Sequence, residues 1–177
     1  AAIDGVNLVI GTNNRSKIVE LVEQLESTER QINAVRDIMK ASNFEEMPLF
    51  GNESDKARAF MKIQEGCNNY CSFCIIPYTR GKLKSRKIQD IVEEAKRLVE
   101  HGFHEIVLTG IHLGNYGVEL PGRPTLADVV KALLEIPELY RIRFGSIESV
   151  EVSDELVELM ATDNRVCPNL HLPLQAG

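Results

Sequence analysis

Cys67, Cys71 and Cys74 stand within eight consecutive residues, Cys67-Asn68-Asn69-Tyr70-Cys71-Ser72-Phe73-Cys74, in the spacing C-x3-C-x2-C. Three thiolates on one short loop can hold three corners of a cubane iron–sulfur cluster. The fourth iron then has no protein ligand, so a small molecule can coordinate it and accept an electron, which a cluster held by four cysteines does not allow. Other chemistries compete. Structural zinc takes four ligands, usually as two C-x2-4-C or H-x3-5-H pairs, and here one triplet stands alone. His101 and His104 are one residue short of the finger spacing, and Cys167 is the only other cysteine. A disulfide inside the triplet leaves one thiol over and suits a secreted chain. Redox-active or incidental thiols are the third reading.

The flanks narrow the choice. The run Lys62-Ile63-Gln64-Glu65-Gly66-Cys67 through Ile75-Ile76-Pro77-Tyr78-Thr79-Arg80-Gly81 resembles the radical S-adenosylmethionine (SAM) methylthiotransferases. C-x3-C-x2-C alone marks the wider radical SAM superfamily; E-G-C-N-N-Y and I-I-P-Y-T-R-G mark this family within it. The resemblance runs from Val6 to Gly177. It implies that Cys67, Cys71 and Cys74 ligate a 4Fe-4S cluster whose open iron binds SAM. It also implies a second 4Fe-4S cluster, held by three cysteines that this chain does not contain, and an external electron donor.

Three branches of the family differ in substrate. Two modify a tRNA adenosine next to the anticodon, starting from isopentenyladenosine or threonylcarbamoyladenosine. The third modifies an aspartate of a ribosomal protein. Residues 108–117, Leu-Thr-Gly-Ile-His-Leu-Gly-Asn-Tyr-Gly, resemble the threonylcarbamoyladenosine branch, as does Ile147-Glu148. The expected function is methylthio transfer to C2 of that nucleoside in tRNA. A metal-stabilised RNA-binding module is the non-enzymatic alternative.

These groups must be positioned by a scaffold, and the pattern of the chain shows what kind. Residues 6–11 read as a short buried strand. Thr12, Asn13 and Asn14 can cap a helix bearing Ile18, Leu21, Val22 and Leu25. This is the end of an open α/β domain, with residues 27–57 as a polar linker, a short helix near Ile32 to Lys40, and a domain boundary near residue 50. The expected domains are therefore 1–50 and 51–177. Beyond the boundary a β/α rhythm sets in. Residues 59–63 alternate as a strand. Ser85 or Lys87 opens a helix that Gly102 stops. Residues 105–109 are a strand, Thr125 caps a helix, 140–144 are a strand, Ser153 caps a helix, and 169–172 start a fourth strand. Alternation of this kind makes a parallel sheet covered by helices. The resemblance completes it as a partial TIM-like radical SAM barrel with four of about six β/α units present.

In such a sheet, function gathers at the C-terminal strand ends. Thr109, Gly110, Ser146, Glu148 and Gln175 fall there and are expected to contact SAM, with Phe73 as a wall near its adenine. Ala176 departs from the family's serine, and a glutamate that often follows the second strand is absent. Gly66, Pro77 and Gly81 shape the loop. Cys167 reads as a small buried residue, His112 and His171 as structural histidines, and Tyr116 as a loop anchor. Arg80, Lys82, Lys84, Arg86 and Lys87 form a basic run beside the cysteine loop, a natural contact for RNA phosphates.

Composition sets the outer limits. The 177 residues carry a net charge of −6, which excludes a globally basic nucleic-acid binder but not a local patch. With 44% apolar and 26% charged residues the chain is of ordinary globular composition. No apolar run is long enough to span a membrane, and no signal peptide is expected. Unpaired cysteines suit a reducing cytoplasm. The ends, Ala1-Ala2-Ile3 and Leu174-Gln175-Ala176-Gly177, read as those of a fragment, so the full reaction is not expected of this chain alone.

Overall fold

The computed structural model describes residues 3–28, 30–47 and 57–175. Its centre is a parallel sheet of β3 (Arg58–Lys62), β6 (Glu105–Thr109) and β7 (Arg141–Phe144), in that order. Arg58 pairs with Glu105 and Lys62 with Thr109; Glu105 pairs with Arg141 and Leu108 with Phe144. Parallel neighbours need crossovers, and helices supply them: α3 (Ile88–Glu100), α4 (Leu126–Leu134) and α5 (Asp154–Thr162).

Alternation along the strands decides which face is core. Ala59, Met61, Ile106, Leu108, Ile142 and Phe144 are buried with Ile91, Ala95 and Leu98 of α3 and Val129, Val130 and Leu133 of α4. The opposite face carries Arg58, half-exposed Phe60 and Lys62, then Glu105, buried Val107 and Thr109, then Arg141 and Arg143. Glu105 there is within ion-pair distance of Arg58, Arg141 and Arg143. This face is mixed, with its charges gathered around Glu105.

The helix signals at Thr125, Ser153 and Gly102 hold, but the expected cap at Thr12 to Asn14 does not: a 3-10 turn at Arg15–Lys17 leads into the first helix, and the Asn14 side chain instead accepts from the Gly11 amide and donates to the Ala34 carbonyl. Thr125 Oγ1 accepts from the Asp128 amide while Asp128 accepts from the Thr125 amide, a reciprocal cap for α4. The Ser153 hydroxyl accepts from the Leu156 amide and starts α5. Gly102, at φ 88°, follows α3 where a left-handed residue is needed.

Two expected elements are different. The fourth strand at residues 169–172 is reduced to isolated parallel bridges, Ile142 with Val166 and Ser146 with His171. Pro168 between them has no N–H to give the ladder, and the Asn169 amide turns back to the Cys167 carbonyl at 2.8 Å. The short helix near Ile32 to Lys40 is instead β2 (Ile32–Ala34), parallel to β1 (Leu8–Ile10), followed by a 3-10 turn at Ile38–Lys40. Ile32, Asn33 and Val35 are poor helix formers, and Asp37 caps the turn by accepting from the Met39 amide at 3.0 Å. Between β1 and β2 lies α1 (Ile18–Thr28), as expected. The expected domain boundary near residue 50 lies outside the described residues.

No helix among the described residues is long and apolar enough to cross a membrane.

If the helix-covered face is the core, Leu108→Ala lowers stability by about 3 kcal/mol, whereas Phe60→Ala on the open face costs less than about 1 kcal/mol. Urea unfolding of both variants checks this; equal losses would misplace the core.

Candidate functional site

The cysteine loop leaves the C-terminal end of β3 and is closed at its base by a two-stranded antiparallel ribbon, β4 (Gln64–Glu65) against β5 (Lys84–Ser85). Neither ribbon strand was legible in the sequence. Gly66 makes the turn into the loop at φ 77°, and a Cβ there would lie 2.0 Å from the Lys82 carbonyl oxygen. Only glycine has both that conformation and that clearance. The Cys67 amide donates to the Gly81 carbonyl at 3.2 Å, and the Leu83 amide to Asn68 Oδ1 at 3.1 Å, so the two ends of the loop are tied together. Between them a short helix, α2 (Ile76–Arg80), carries the chain back, ending at Gly81.

Gln64 is fully buried and fastens the loop to the next strand end. Its Nε2 donates to the Glu65 and Gly66 carbonyls at 3.0 and 2.8 Å, and its Oε1 accepts from the His112 amide at 2.6 Å. A Cβ on Gly110 would come within 2.8 Å of that Oε1. Gly110 is thus bare because Gln64 fills its space.

Glu65 is the electrostatic hub. Its buried carboxylate meets Arg15 at 3.1 Å, Lys62 at 3.1 Å and Arg80 at 3.3 Å. Burial alone raises its proton affinity, but the charges of Lys62, Arg15 and Lys84 outweigh that and hold the carboxyl below its ordinary range. Burial pushes the Lys84 ammonium down, against the pull of Glu65. Arg15 belongs to the β1–α1 connection, so this cluster also joins the first unit to the ribbon. Glu45 accepts from Arg15 and from the Ser16 amide and hydroxyl. Glu46 pairs with Arg86 at 2.5 Å, and the Thr12 hydroxyl donates to the Thr79 carbonyl at 3.0 Å. Part of the expected linker is therefore a brace.

All three thiols are free. Cys67 and Cys74 are half-buried, and Cys71 is exposed. Among the described residues, no three His, Cys, Asp or Glu side chains are grouped to hold a single metal ion. The donor set of three unpaired thiols on one accessible, tied-down loop fits a 4Fe-4S cluster.

The strand ends collect most of the other expected residues. Ser146 Oγ lies 2.7 Å from His171 Nδ1, and Gln175 Nε2 donates to Glu148 Oε1 at 2.9 Å. The Thr109 hydroxyl is engaged by the Met61 carbonyl at 3.3 Å. Phe73 is exposed at the loop tip, with Ile75 and Tyr78 also exposed nearby in sequence. The basic run divides. Lys82 and Lys87 face solvent, Arg80 is half-exposed, but Lys84 and Arg86 are buried. Arg86 is held between Glu46 and Glu94. Local charge in the sequence could not distinguish these, because the acidic partners come from elsewhere in the chain.

Tyr116 is the anchor expected of it: its hydroxyl donates to the Arg86 carbonyl, and burial with the nearby Glu119 pushes its proton affinity up. Cys167 is a packed core residue whose thiol is pushed up by burial. His112 is buried beside Cys67, with Sγ to Nδ1 at 3.4 Å, a proximity that the sequence spacing does not show.

A parallel β/α sheet with a three-cysteine loop at its first strand end defines a class, and residues 61–177 match the radical SAM superfamily. The chain belongs to that superfamily. It is 40% identical, over 99% of its length, to the threonylcarbamoyladenosine tRNA methylthiotransferase MtaB of Bacillus subtilis (strain 168). It is 42% identical over 97% of its length to the MtaB of Rickettsia prowazekii (strain Madrid E). The tRNA-2-methylthio-N(6)-dimethylallyladenosine synthase of Carboxydothermus hydrogenoformans is 34% identical over 97% of the chain. The chain spans 39%, 40% and 38% of these relatives' lengths, respectively. Among solved structures, the radical SAM methyltransferase TsrM from Kitasatospora setae, with tryptophan and a SAM analogue bound, superposes with a TM-score of 0.56. At 11% identity, over 86% of this chain and 34% of that one, the likeness is of fold.

Glu65→Gln removes the charge that gathers three cations and is expected to cost about 2 kcal/mol. Gly66→Ala is expected to cost at least about 2 kcal/mol through backbone strain. Thermal unfolding measures both, and an unchanged Glu65→Gln melt would remove the hub from the account.

Proposed function

We propose that this chain is part of a radical SAM tRNA methylthiotransferase acting on threonylcarbamoyladenosine. The observation that carries the reading is the C-x3-C-x2-C loop at the C-terminal end of β3, set among flanks shared with the methylthiotransferases. In this reading residues 51–177 are the first four of about six β/α units of a partial TIM-like barrel. Residues 1–50 end an open α/β domain whose remainder holds a second 4Fe-4S cluster. The exposed apolar side chains of Ile18 and Val22 on α1 suit a surface covered by further elements of that domain.

Cys67, Cys71 and Cys74 hold the first cluster. Bound there, it supplies one electron to the sulfonium of SAM from an external donor. The protein's own part is to bind and orient. The Glu148 carboxylate, already accepting from Gln175, offers an acceptor to the SAM amino group, and Ser146 lies two residues before it at the same strand end. Thr109 and Gly110 act as the frame, since the hydroxyl of one is spent on Met61 and the other is shaped by Gln64. Phe73 contributes an apolar wall that limits water. Lys82 and Arg80 are the cations placed to meet RNA phosphates; Lys84 and Arg86 support the loop from within. The cytoplasm is the proposed compartment.

The dimethylallyladenosine branch is a second reading, because relatives of that kind are also similar along nearly the whole chain. Nucleoside mass spectrometry of tRNA from cells lacking the protein separates the two: accumulation of unmethylthiolated threonylcarbamoyladenosine supports the first, and of the dimethylallyl nucleoside the second. Accumulation of neither, with a ribosomal-protein aspartate left unmodified, points to the family's third branch.

The chain itself is tested by anaerobic reconstitution with iron and sulfide, reduction, and electron paramagnetic resonance. The expected result is a 4Fe-4S signal that changes when SAM is added and is lost in Cys71→Ala. Zinc uptake without any cluster signal would replace this reading with the metal-stabilised module. For the RNA contact, Lys82→Glu should weaken tRNA binding and lower the slope of log K against log salt by about 1; an unchanged slope would clear Lys82 of phosphate contact.

A further inference from the structure

The proposed cluster site leaves two polar side chains unused, buried His112 and half-buried Glu151, and they sit together. His112 follows the end of β6 and Glu151 follows the end of β7. Their contact at 2.5 Å, between Nε2 and Glu151 Oε1, points the other ring nitrogen, Nδ1, at Cys67 Sγ 3.4 Å away. We propose that His112 is a positioning residue that donates an N–H···S hydrogen bond from Nδ1 to Cys67 and so raises the reduction potential of the cluster this cysteine holds. The proposal rests on the iron–sulfur reading above.

The ring is fixed from several sides. The His112 amide donates to the buried Gln64 Oε1 at 2.6 Å, which ties its backbone to the base of the cysteine loop. Asn115 Nδ2 lies 3.0 Å from Nε2 and donates to Glu151 Oε1 at 2.6 Å. Gly114 leaves room for the carboxylate: a Cβ there would come within 2.4 Å of Glu151 Oε2. That oxygen is buried with no hydrogen-bond partner, so Glu151's bonding is committed to the His112 and Asn115 side. Burying a carboxylate this way is costly unless the geometry serves something.

A metal-bound thiolate carries no proton. The Glu151 carboxylate and the Cys67 thiolate can only accept, so a ring that bridges them carries an N–H on each nitrogen: Nε2 donates to Glu151 Oε1 and Nδ1 to Cys67 Sγ. The Asn69 amide donates to the same sulfur at 3.4 Å. Reduction adds negative charge that spreads onto the ligand sulfurs, so donors aimed at them stabilise the reduced cluster more than the oxidised one. Partners that orient a ligand are part of how a metal site is tuned. The three side chains come from the ends of three different strands, so the device exists only when the sheet has formed.

The test uses the chain reconstituted with iron and sulfide, as wild type, His112→Leu and His112→Asn. The Asn carboxamide places an N–H near the position of Nδ1. Midpoint potentials come from a reductive titration followed by electron paramagnetic resonance. Pulsed measurements on protein labelled with 15N-histidine read the coupling across the hydrogen bond. The expected result is a shift to lower potential and loss of the 15N coupling in His112→Leu, with the potential largely restored in His112→Asn. If His112→Leu takes up no cluster, a near wild-type potential in His112→Asn still supports the hydrogen bond. A wild-type potential in His112→Leu, or no 15N coupling in the wild type, overturns the proposal while leaving the cluster reading intact. Failure of the wild type to take up any cluster overturns both.

Discussion

The buried carboxylate of Glu65 governs how the rest of this structure is arranged. It sits at the base of the cysteine loop with Arg15, Lys62 and Arg80 around it. A carboxylate taken out of water is stable only with partners of opposite charge in good geometry. Each of those partners comes from a different place: the first β-α connection, the last residue of β3, and the end of α2. Satisfying one charge therefore fixes three segments. The loop that carries Cys67, Cys71 and Cys74 is held between them, closed below by the β4–β5 ribbon, with its turn made by Gly66.

The sheet supplies the direction. One face is apolar and covered by helices; the other bears Arg58, Lys62, Glu105, Arg141 and Arg143 and stays open to polar groups. Parallel strands deliver their C-terminal ends to the same side, so the cysteine loop, His112, Ser146, Glu148 and Glu151 arrive together although they are far apart in the chain. The meeting of the thiols with these polar groups is thus a consequence of topology. The same topology gives the basic run two roles: Lys82 faces outward, while Lys84 and Arg86 become internal supports.

Much of this was legible in the residues. The thiol triplet and its spacing name their chemistry, and the β/α rhythm with Thr125, Ser153 and Gly102 at the helix ends marks the elements. Local physics is enough there, because a cap or a period of two depends on near neighbours. The misreadings have equally local causes. Pro168 interrupts what otherwise looks like a fourth strand. Ile32 to Ala34 is too short and too polar around it to announce itself as a strand without β1 beside it. The β4–β5 ribbon is two residues wide on each side and has no periodicity to read.

By itself, then, the sequence determined which atoms could hold a cluster, where most of the β/α units beyond residue 57 would lie, and which face of their helices would be apolar. The tertiary structure alone decided which polar groups meet. Buried charges are paired by whatever the fold brings within about 4 Å, and that distance has no counterpart in sequence separation. Arg86 and Lys82 are both cations of one short run, yet only the fold sets Glu46 and Glu94 against the first and solvent against the second. His112 is one histidine among four in the sequence; it stands beside Cys67 because two parallel strands end side by side and Gln64 joins them.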